Sequence, residues 1–266
     1  MQNIKFFFMI IAIPPYFLNA SSNVSDLVKT VINEQDLDID HNKRKSLYKL
    51  TKKLDQVNKK FRLDRQTRFS YTAAVQLYHR VQKASGEHTI YTGGNIKDPT
   101  DFVYLVPRSF FSPYTSHIQV INSDLHNFGI SQSINFEGKK VYKFAEIADS
   151  EADTIYNGSV KGVNDAEVAQ NISKYGCKIS TKNKKFEPND DAKGKVARAC
   201  AYILTRYQWL LPKMEELIDI ETMVNWHENH PVTEAEKKRE AEIFKAQGNH
   251  NPYITQPIGY MREVWM

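Results

Sequence analysis

Three short runs of this sequence hold side chains able to move protons, bind a cation or grip an anion. His227-Glu228-Asn229-His230 sets two imidazoles three residues apart. Metalloprotease chemistry needs them four apart on one helical face with the glutamate as base, and here Pro231 breaks the helix that would carry them. The spacing disfavours a metal. Ser123-Asp124-Leu125-His126-Asn127 puts a carboxylate two residues from an imidazole in a loop-rich stretch. An Asp-x-His serves equally as a ligand pair or as a carboxylate orienting a histidine from behind. Gln247-Gly248-Asn249-His250-Asn251-Pro252-Tyr253 gathers amides, an imidazole and an aromatic around a glycine. Such groups bond phosphate and sugar oxygens well, and they build a hydrogen-bonded turn just as readily. Cys177 and Cys200 lack a catalytic histidine signature, which argues against a thiol nucleophile.

The elements that must position these groups are mostly helical. With 266 residues, 41% of them hydrophobic and 25% charged, the chain can bury a real core and is not disordered throughout. A Lys- and Arg-rich stretch over residues 43–69 carries Leu47, Leu50, Leu54, Val57 and Phe61 at spacings of three and four. This is an amphipathic helix with a solvated basic face. Tyr71, Val75, Leu77, Tyr78 and Val81 continue as a second helix, and residues 87–92 read as a strand closed by Gly93-Gly94. Short extended pieces are expected at 102–106 and 117–121, and a polar surface loop over 180–195. Val196, Cys200, Ile203, Leu204, Tyr207 and Leu211 share one helical face after an Asp190-Asp191 cap. Pro212 opens another helix reaching Trp226, with Tyr207 and Trp226 read as core. Thr233-Glu234-Ala235-Glu236 has the capping-box pattern, and Gly248 stops that last helix. The fold class expected is α+β, a mainly helical single domain with little sheet.

The first twenty residues read as an address. Lys5, an apolar stretch over residues 6–13, and Leu18-Asn19-Ala20 before Ser21 match a secretory signal peptide, leaving 21–266 as the mature domain. After residue 20 no apolar run approaches the roughly 18 residues that span a bilayer, so a membrane channel is excluded. Two cysteines exclude a disulfide-dense scaffold and a four-cysteine zinc site. A Cys177–Cys200 disulfide and two separate buried thiols are both compatible with the spacing. Asn23, Asn157 and Asn171 head glycosylation sequons. A formal charge of +5 is compatible with a polyanionic partner without requiring one.

A longer run of residues resembles a known family. Phe186-Glu187-Pro188, Lys193-Gly194, Val196-Ala197-Arg198, Tyr202, Arg206-Tyr207, Trp226, Pro231-Val232, Glu236, Arg239, Ile243 and the segment from Gln247 to Tyr253 are similar to the secreted and periplasmic endonuclease I family. Val106-Pro107-Arg108-Ser109-Phe110-Phe111 and residues 123–127 resemble its active-site region, so the likeness covers about residues 66–257. The resemblance implies a small ββα-metal (His-Me finger) element that cuts DNA and RNA using Mg²⁺ or another divalent ion. In such a site a histidine takes a proton from water, a glutamate and an asparagine hold the ion, and an arginine neutralises developing charge.

Against that pattern the chain departs where the chemistry sits. Counted back from Val106-Pro107, the family's glutamate position is Val103 and its histidine position is Tyr104. Valine offers no ligand atom. The metal-ligand candidates that remain are Asn135 and Asp124. Tyr104, Arg108 and His126 occupy catalytic positions, and Lys139, Lys140, Arg198, Gln247, Asn249 and His250 are of the nucleic-acid-binding type. Arg198, Gln247 and Asn249 serve equally well as ties between helices. The leading expectation is a secreted, catalytically impaired relative acting on DNA or RNA by binding. The alternatives are an active metal nuclease using Asp124, His126 and Asn135, and a protein-interaction module that kept only the fold.

Overall fold

A computed structural model describes residues 41–65, 69–86, 102–104, 106, 123–130, 142–153 and 176–266. The strand expected at 87–92, the extended piece at 117–121, the leader and the three sequons lie outside the described residues. The architecture is mainly helical with two small sheets, as the composition and periodicity imply. Among the described residues, no helix is long and apolar enough to cross a membrane.

Helix α1 (His41–Phe61) turns Leu47, Thr51, Leu54, Val57 and Asn58 inward and its lysines outward. A 3₁₀ turn (Leu63–Arg65) follows, then α2 (Tyr71–Ser85). The Ser70 side chain accepts from the Ala73 amide at the start of α2, and Gly86 in the left-handed region closes its end. Strands β1 (Phe102–Tyr104) and β2 (Phe128–Ile130) pair antiparallel, with Val103 opposite Gly129 and Tyr104 opposite Phe128. A single 3₁₀ turn (Leu125–Asn127) leads into β2.

The second sheet holds β3 (Lys143–Phe144), β4 (Lys178–Ser180) and β5 (Lys185–Glu187), with β5 in the centre. Here the expected surface loop over 180–195 is corrected. Its first part is a β-hairpin whose Phe186 is fully buried, and its last part is already helix α3 (Asp190–Arg206). One aromatic among lysines gives no alternation to read, although Phe186 pins the hairpin to the core. The helix cap is Asn189, whose side chain accepts from the Asp191 amide. Asp190 and Asp191 instead fill the first turn, where their charge favours the helix dipole.

Helix α3 is the axis of the larger core, with every residue from Ala192 to Thr205 buried. It stops at Arg206 rather than running to Leu211, and a 3₁₀ segment (Gln208–Lys213) contains Pro212. The single helix expected after Pro212 is two: α4 (Met214–Leu217) and α5 (Ile220–Asn229). Ile218 is extended between them and bridges Phe144, while Asp219 caps α5 by accepting from the Thr222 amide. Helix α6 (Glu234–Gln247) starts on Thr233, which accepts from the Glu236 amide. The box is only half made, because the Glu236 carboxylate is taken by Arg198. Gly248 ends α6 at φ 87°, and α7 (Pro252–Thr255) and α8 (Tyr260–Trp265) complete the chain.

A smaller core joins Ala74, Tyr78, Val81, Leu125, Phe128 and Ile243, with Tyr104 packed against it. It ties α2, both strands of the first sheet and α6 together around the 123–127 segment.

Gly194 sets how closely α3 meets the end of α5. A Cβ there would press on the His230 carbonyl oxygen and lie 2.8 Å from both His230 Cβ and Arg198 Nη2. Helix propensity favours alanine by about 1 kcal/mol. Overpacking against backbone costs about 1–3 kcal/mol, and the backbone has little room to yield. Gly194→Ala is therefore expected to lower the unfolding free energy in urea, and an increase would show that the close approach is soft.

Candidate functional site

Asp124 is the centre of the polar network in the smaller core. It is 0% exposed. Its Oδ1 accepts from Gln247 Nε2 at 2.8 Å and from the His126 amide at 3.1 Å. Its Oδ2 accepts from the Tyr207 hydroxyl at 2.8 Å and the Tyr202 hydroxyl at 3.1 Å, with Arg206 Nε 3.4 Å away. Burial, then the Asp124 charge, pushes both phenols well above their ordinary pKa, so they stay protonated and donate.

The C-terminal segment locks onto this carboxylate. Gln247 Oε1 accepts from the Leu125 amide at 2.7 Å, and Gln247 Nε2 also reaches Asn249 Oδ1 at 2.8 Å. Asn249 Nδ2 donates to the Tyr202 hydroxyl at 2.7 Å and to the Leu63 carbonyl at 3.3 Å. Arg206 donates to the same carbonyl. Asn127 Oδ1 accepts from the Val106 amide at 3.0 Å, tying the segment after β1 to the turn before β2.

His126 is 1% exposed, beneath the Tyr202 ring at 4.4 Å. Its Nε2 lies 3.2 Å from the Asn249 carbonyl, and its Nδ1 faces Glu240 Oε2 at 3.5 Å. Burial lowers its pKa, against the opposing pull of Glu240 and Asp124. The other oxygen of Glu240 accepts from the Asn251 amide at 2.9 Å and contacts His250 Nδ1 at 3.0 Å. The His250 side chain keeps 40% exposure and lies flat on Phe244 at 3.8 Å.

Arg198 is 1% exposed and fully engaged. Its Nε and Nη2 fork onto Glu236 at 2.7 and 2.8 Å, and its Nη1 donates to the His230 carbonyl at 2.8 Å and to His227 Nδ1 at 3.3 Å. His227 Nε2 donates to the Ile258 carbonyl at 2.9 Å, so both nitrogens of that imidazole are spent. Lys193 is likewise held by Glu187 and Asp190 at 2.8 Å and Glu146 at 3.1 Å. Burial works against its charge, and the three carboxylates outweigh it and raise the pKa.

The structure brings Asp124, His126, Gln247 and Asn249 into one buried cluster, adjoined by His250 through Glu240. Arg198 belongs to a separate tie between α3, α5 and α6. Tyr104 is partly buried with its ring 5.2 Å from Phe128. Arg108, Asn135, Lys139 and Lys140 lie outside the described residues. Cys177 and Cys200 are buried and not bonded to each other, and burial pushes the Cys177 thiol up to about 12.

These donors do not fit a divalent ion at Asp124. Each carboxylate oxygen already accepts at least two protein hydrogen bonds, and cation sites in proteins are built from oxygens left available for coordination. Among the described residues, no group of three or more His, Cys, Asp or Glu could hold a metal. A surface cleft of about 540 Å³ includes Glu146, Asp219, Glu221 and Trp226 with Asn229 and His230 of the 227–230 run, but none of the candidates that the family pattern supplies. Its lining offers no lysine or arginine to hold phosphate, and two of its three carboxylates are already paired, Glu146 with Lys193 and Asp219 with Lys143.

Sequence reasoning missed Glu240 and the roles of Tyr202, Arg206 and Tyr207. A signal existed. Arg198, Tyr202 and Arg206 recur at i, i+4 along the apolar second half of α3, and Glu236, Glu240 and Gln247 line the inward face of α6.

Comparison with known proteins agrees with the motif run. A family model described as Endonuclease I matches residues 25–258. The Endonuclease-1 of Buchnera aphidicola subsp. Baizongia pistaciae is 32% identical over 136 residues, covering 51% of this chain and 47% of that protein. The Endonuclease-1 of Buchnera aphidicola subsp. Acyrthosiphon pisum is 33% identical over 101 residues, covering 37% and 39%. The chain thus spans about half the length of one curated relative and less of the other.

Burial and the Arg198 charge hold His227 down at about 4, from 6.5. A base depressed on folding binds fewer protons folded than unfolded between those values. Its stabilising contribution is present above pH 6.5 and is lost as pH falls towards 4. From pH 7 to pH 5 the loss from this group is about 2 kcal/mol. Urea unfolding at both pH values should show it, and His227→Gln should reduce the difference by that amount. An unchanged pH dependence in the variant would contradict the assignment.

Proposed function

The chain belongs to the endonuclease I family, and within that family we propose that it is a secreted protein that binds DNA or RNA and cleaves phosphodiesters poorly. One contrast carries this reading. The C-terminal motif is intact and locked onto Asp124, while the positions corresponding to the family's glutamate and histidine hold Val103 and Tyr104. Valine cannot ligate an ion. A phenol of ordinary pKa near 10 is ionised at about one part in a thousand at pH 7. Loss of a general base costs about 10²–10⁴ in rate, and loss of a metal ligand adds to it. The family's dependence on Mg²⁺ or a related ion is therefore proposed to be weak in this chain.

An altered site built from Asp124, His126 and Asn135 is disfavoured by burial. A proton acceptor must reach the water it activates, and both nitrogens of His126 face protein atoms. Arg198, Gln247 and Asn249 act as ties in this reading, because their polar atoms are spent on neighbouring helices. A protein-interaction role that retains only the fold would leave nucleic-acid affinity absent at low salt.

The test is degradation of plasmid DNA and of RNA by purified protein in magnesium and in EDTA, beside a relative with the Glu–His pair. We expect a rate at least about 10² lower, and a magnesium-dependent gain in the Val103→Glu/Tyr104→His double substitution. Wild-type cleavage that matches the relative and disappears in EDTA would overturn the proposal.

A further inference from the structure

The positive charge of this protein is concentrated in one element. Residues 41–62 hold nine Lys and Arg against Asp55 alone, a net of +8, whereas the whole chain nets +5. The remainder is therefore −3, and a partner sensing the net charge would meet an almost neutral molecule away from α1. Within α1 the sorting is sharper still. Leu47, Thr51, Leu54 and Val57 fix one face to the core, and Lys45, Lys49, Lys52, Lys53 and Lys60 are exposed on the other.

This stripe has a length and a texture. From Lys45 to Lys60 it runs about 22 Å at the helical rise, with Lys45, Lys49 and Lys53 in one i, i+4 row. Among the described residues, no carboxylate pairs with those three lysines. Aromatic rings alternate with the charges. Lys52 Nζ lies 4.6 Å over the ring of Tyr48, which is 38% exposed, and Lys60 Nζ lies 5.1 Å over Phe61 and 5.6 Å over Tyr260. Ammonium groups spaced evenly along a helix suit a regular polyanion, and adjacent aromatic faces suit unstacked bases.

We propose that the outer face of α1 is a docking surface for the phosphate backbone of nucleic acid, separate from the segment that corresponds to the family's active site. The inference rests on the nucleic-acid-binding reading above and says where that binding occurs. It makes α1 an electrostatic anchor. Affinity then comes from lysines that play no part in the hydrogen-bond network around Asp124.

Anisotropy titrations of a labelled 20-base-pair duplex and of a single-stranded RNA across a salt series test this. Three proteins are compared: wild type, Lys45→Gln/Lys49→Gln/Lys53→Gln, and the control Lys237→Gln/Lys238→Gln/Lys245→Gln on α6. The two variants lose the same formal charge at exposed positions. Phosphate contacts through α1 predict that the first variant binds more weakly, with the log–log salt slope on duplex shallower by about 2.7. The control should keep the wild-type slope, and circular dichroism melts should be alike for all three. Equal slopes in the two variants would overturn the inference while leaving nucleic-acid binding intact. Absence of wild-type binding at low salt would overturn the reading it rests on as well. Loss of binding to vesicles of phosphatidylcholine and phosphatidylserine, with duplex and RNA binding unchanged, would assign the stripe to a membrane and sink the proposal.

Discussion

A single buried carboxylate organises the polar network that joins α3, α6 and the turn before β2. Asp124 sits without solvent among Gln247, Tyr202, Tyr207 and Arg206. Removing a charge from water costs several kcal/mol, and the site recovers it only because each oxygen has protein donors and a guanidinium lies close by. That requirement runs outward. Tyr202 must also hold Asn249, Asn249 and Arg206 share the Leu63 carbonyl, and Gln247 must hold Leu125. Helix α3, the turn after α1, the turn before β2 and the end of α6 are thus fixed relative to one another by one charge.

The same logic recurs in the buried cations. Arg198 and Lys193 lie on the stretch of α3 that is buried throughout, so Glu236, Glu187 and Glu146 are drawn in from elsewhere in the chain, and Asp190 from the first turn of the same helix. Polar residues that look like ligand-binding groups in the sequence are then consumed by the fold. Of those candidates within the described residues, His250 keeps its imidazole part-exposed on Phe244, and the lysines of α1 lie outside the buried lattice altogether. The molecule separates an inner polar lattice that holds shape from an outer basic face on α1.

Local patterns made much of this legible. Apolar spacings of three and four located α1 and α2, Gly248 located the end of α6, and the long motif run located the family. The failures share a cause, which is distance along the chain. Tyr207 continues the apolar spacing of α3, yet its hydroxyl reaches Asp124, 83 residues earlier, and the helix ends before it. Glu236 fits a capping box locally and is claimed by Arg198, 38 residues away. The hairpin over 178–187 lacks a readable alternation because its two apolar core residues, Ile179 and Phe186, stand one to a strand among polar neighbours. In the site, Asp124 and His126 were identifiable as chemically capable, while their burial was written in residues more than 70 positions downstream.

The central claim is that Asp124 is committed to the protein and unavailable to a cation. Its most direct test is the melting temperature in excess magnesium against EDTA. A ligand held by the native state at a hundred times its dissociation constant adds about 2.7 kcal/mol, and a chain of this size would melt several degrees higher. The account predicts the same melting temperature in both solutions. A magnesium-dependent rise that vanishes in Asp124→Asn would contradict it.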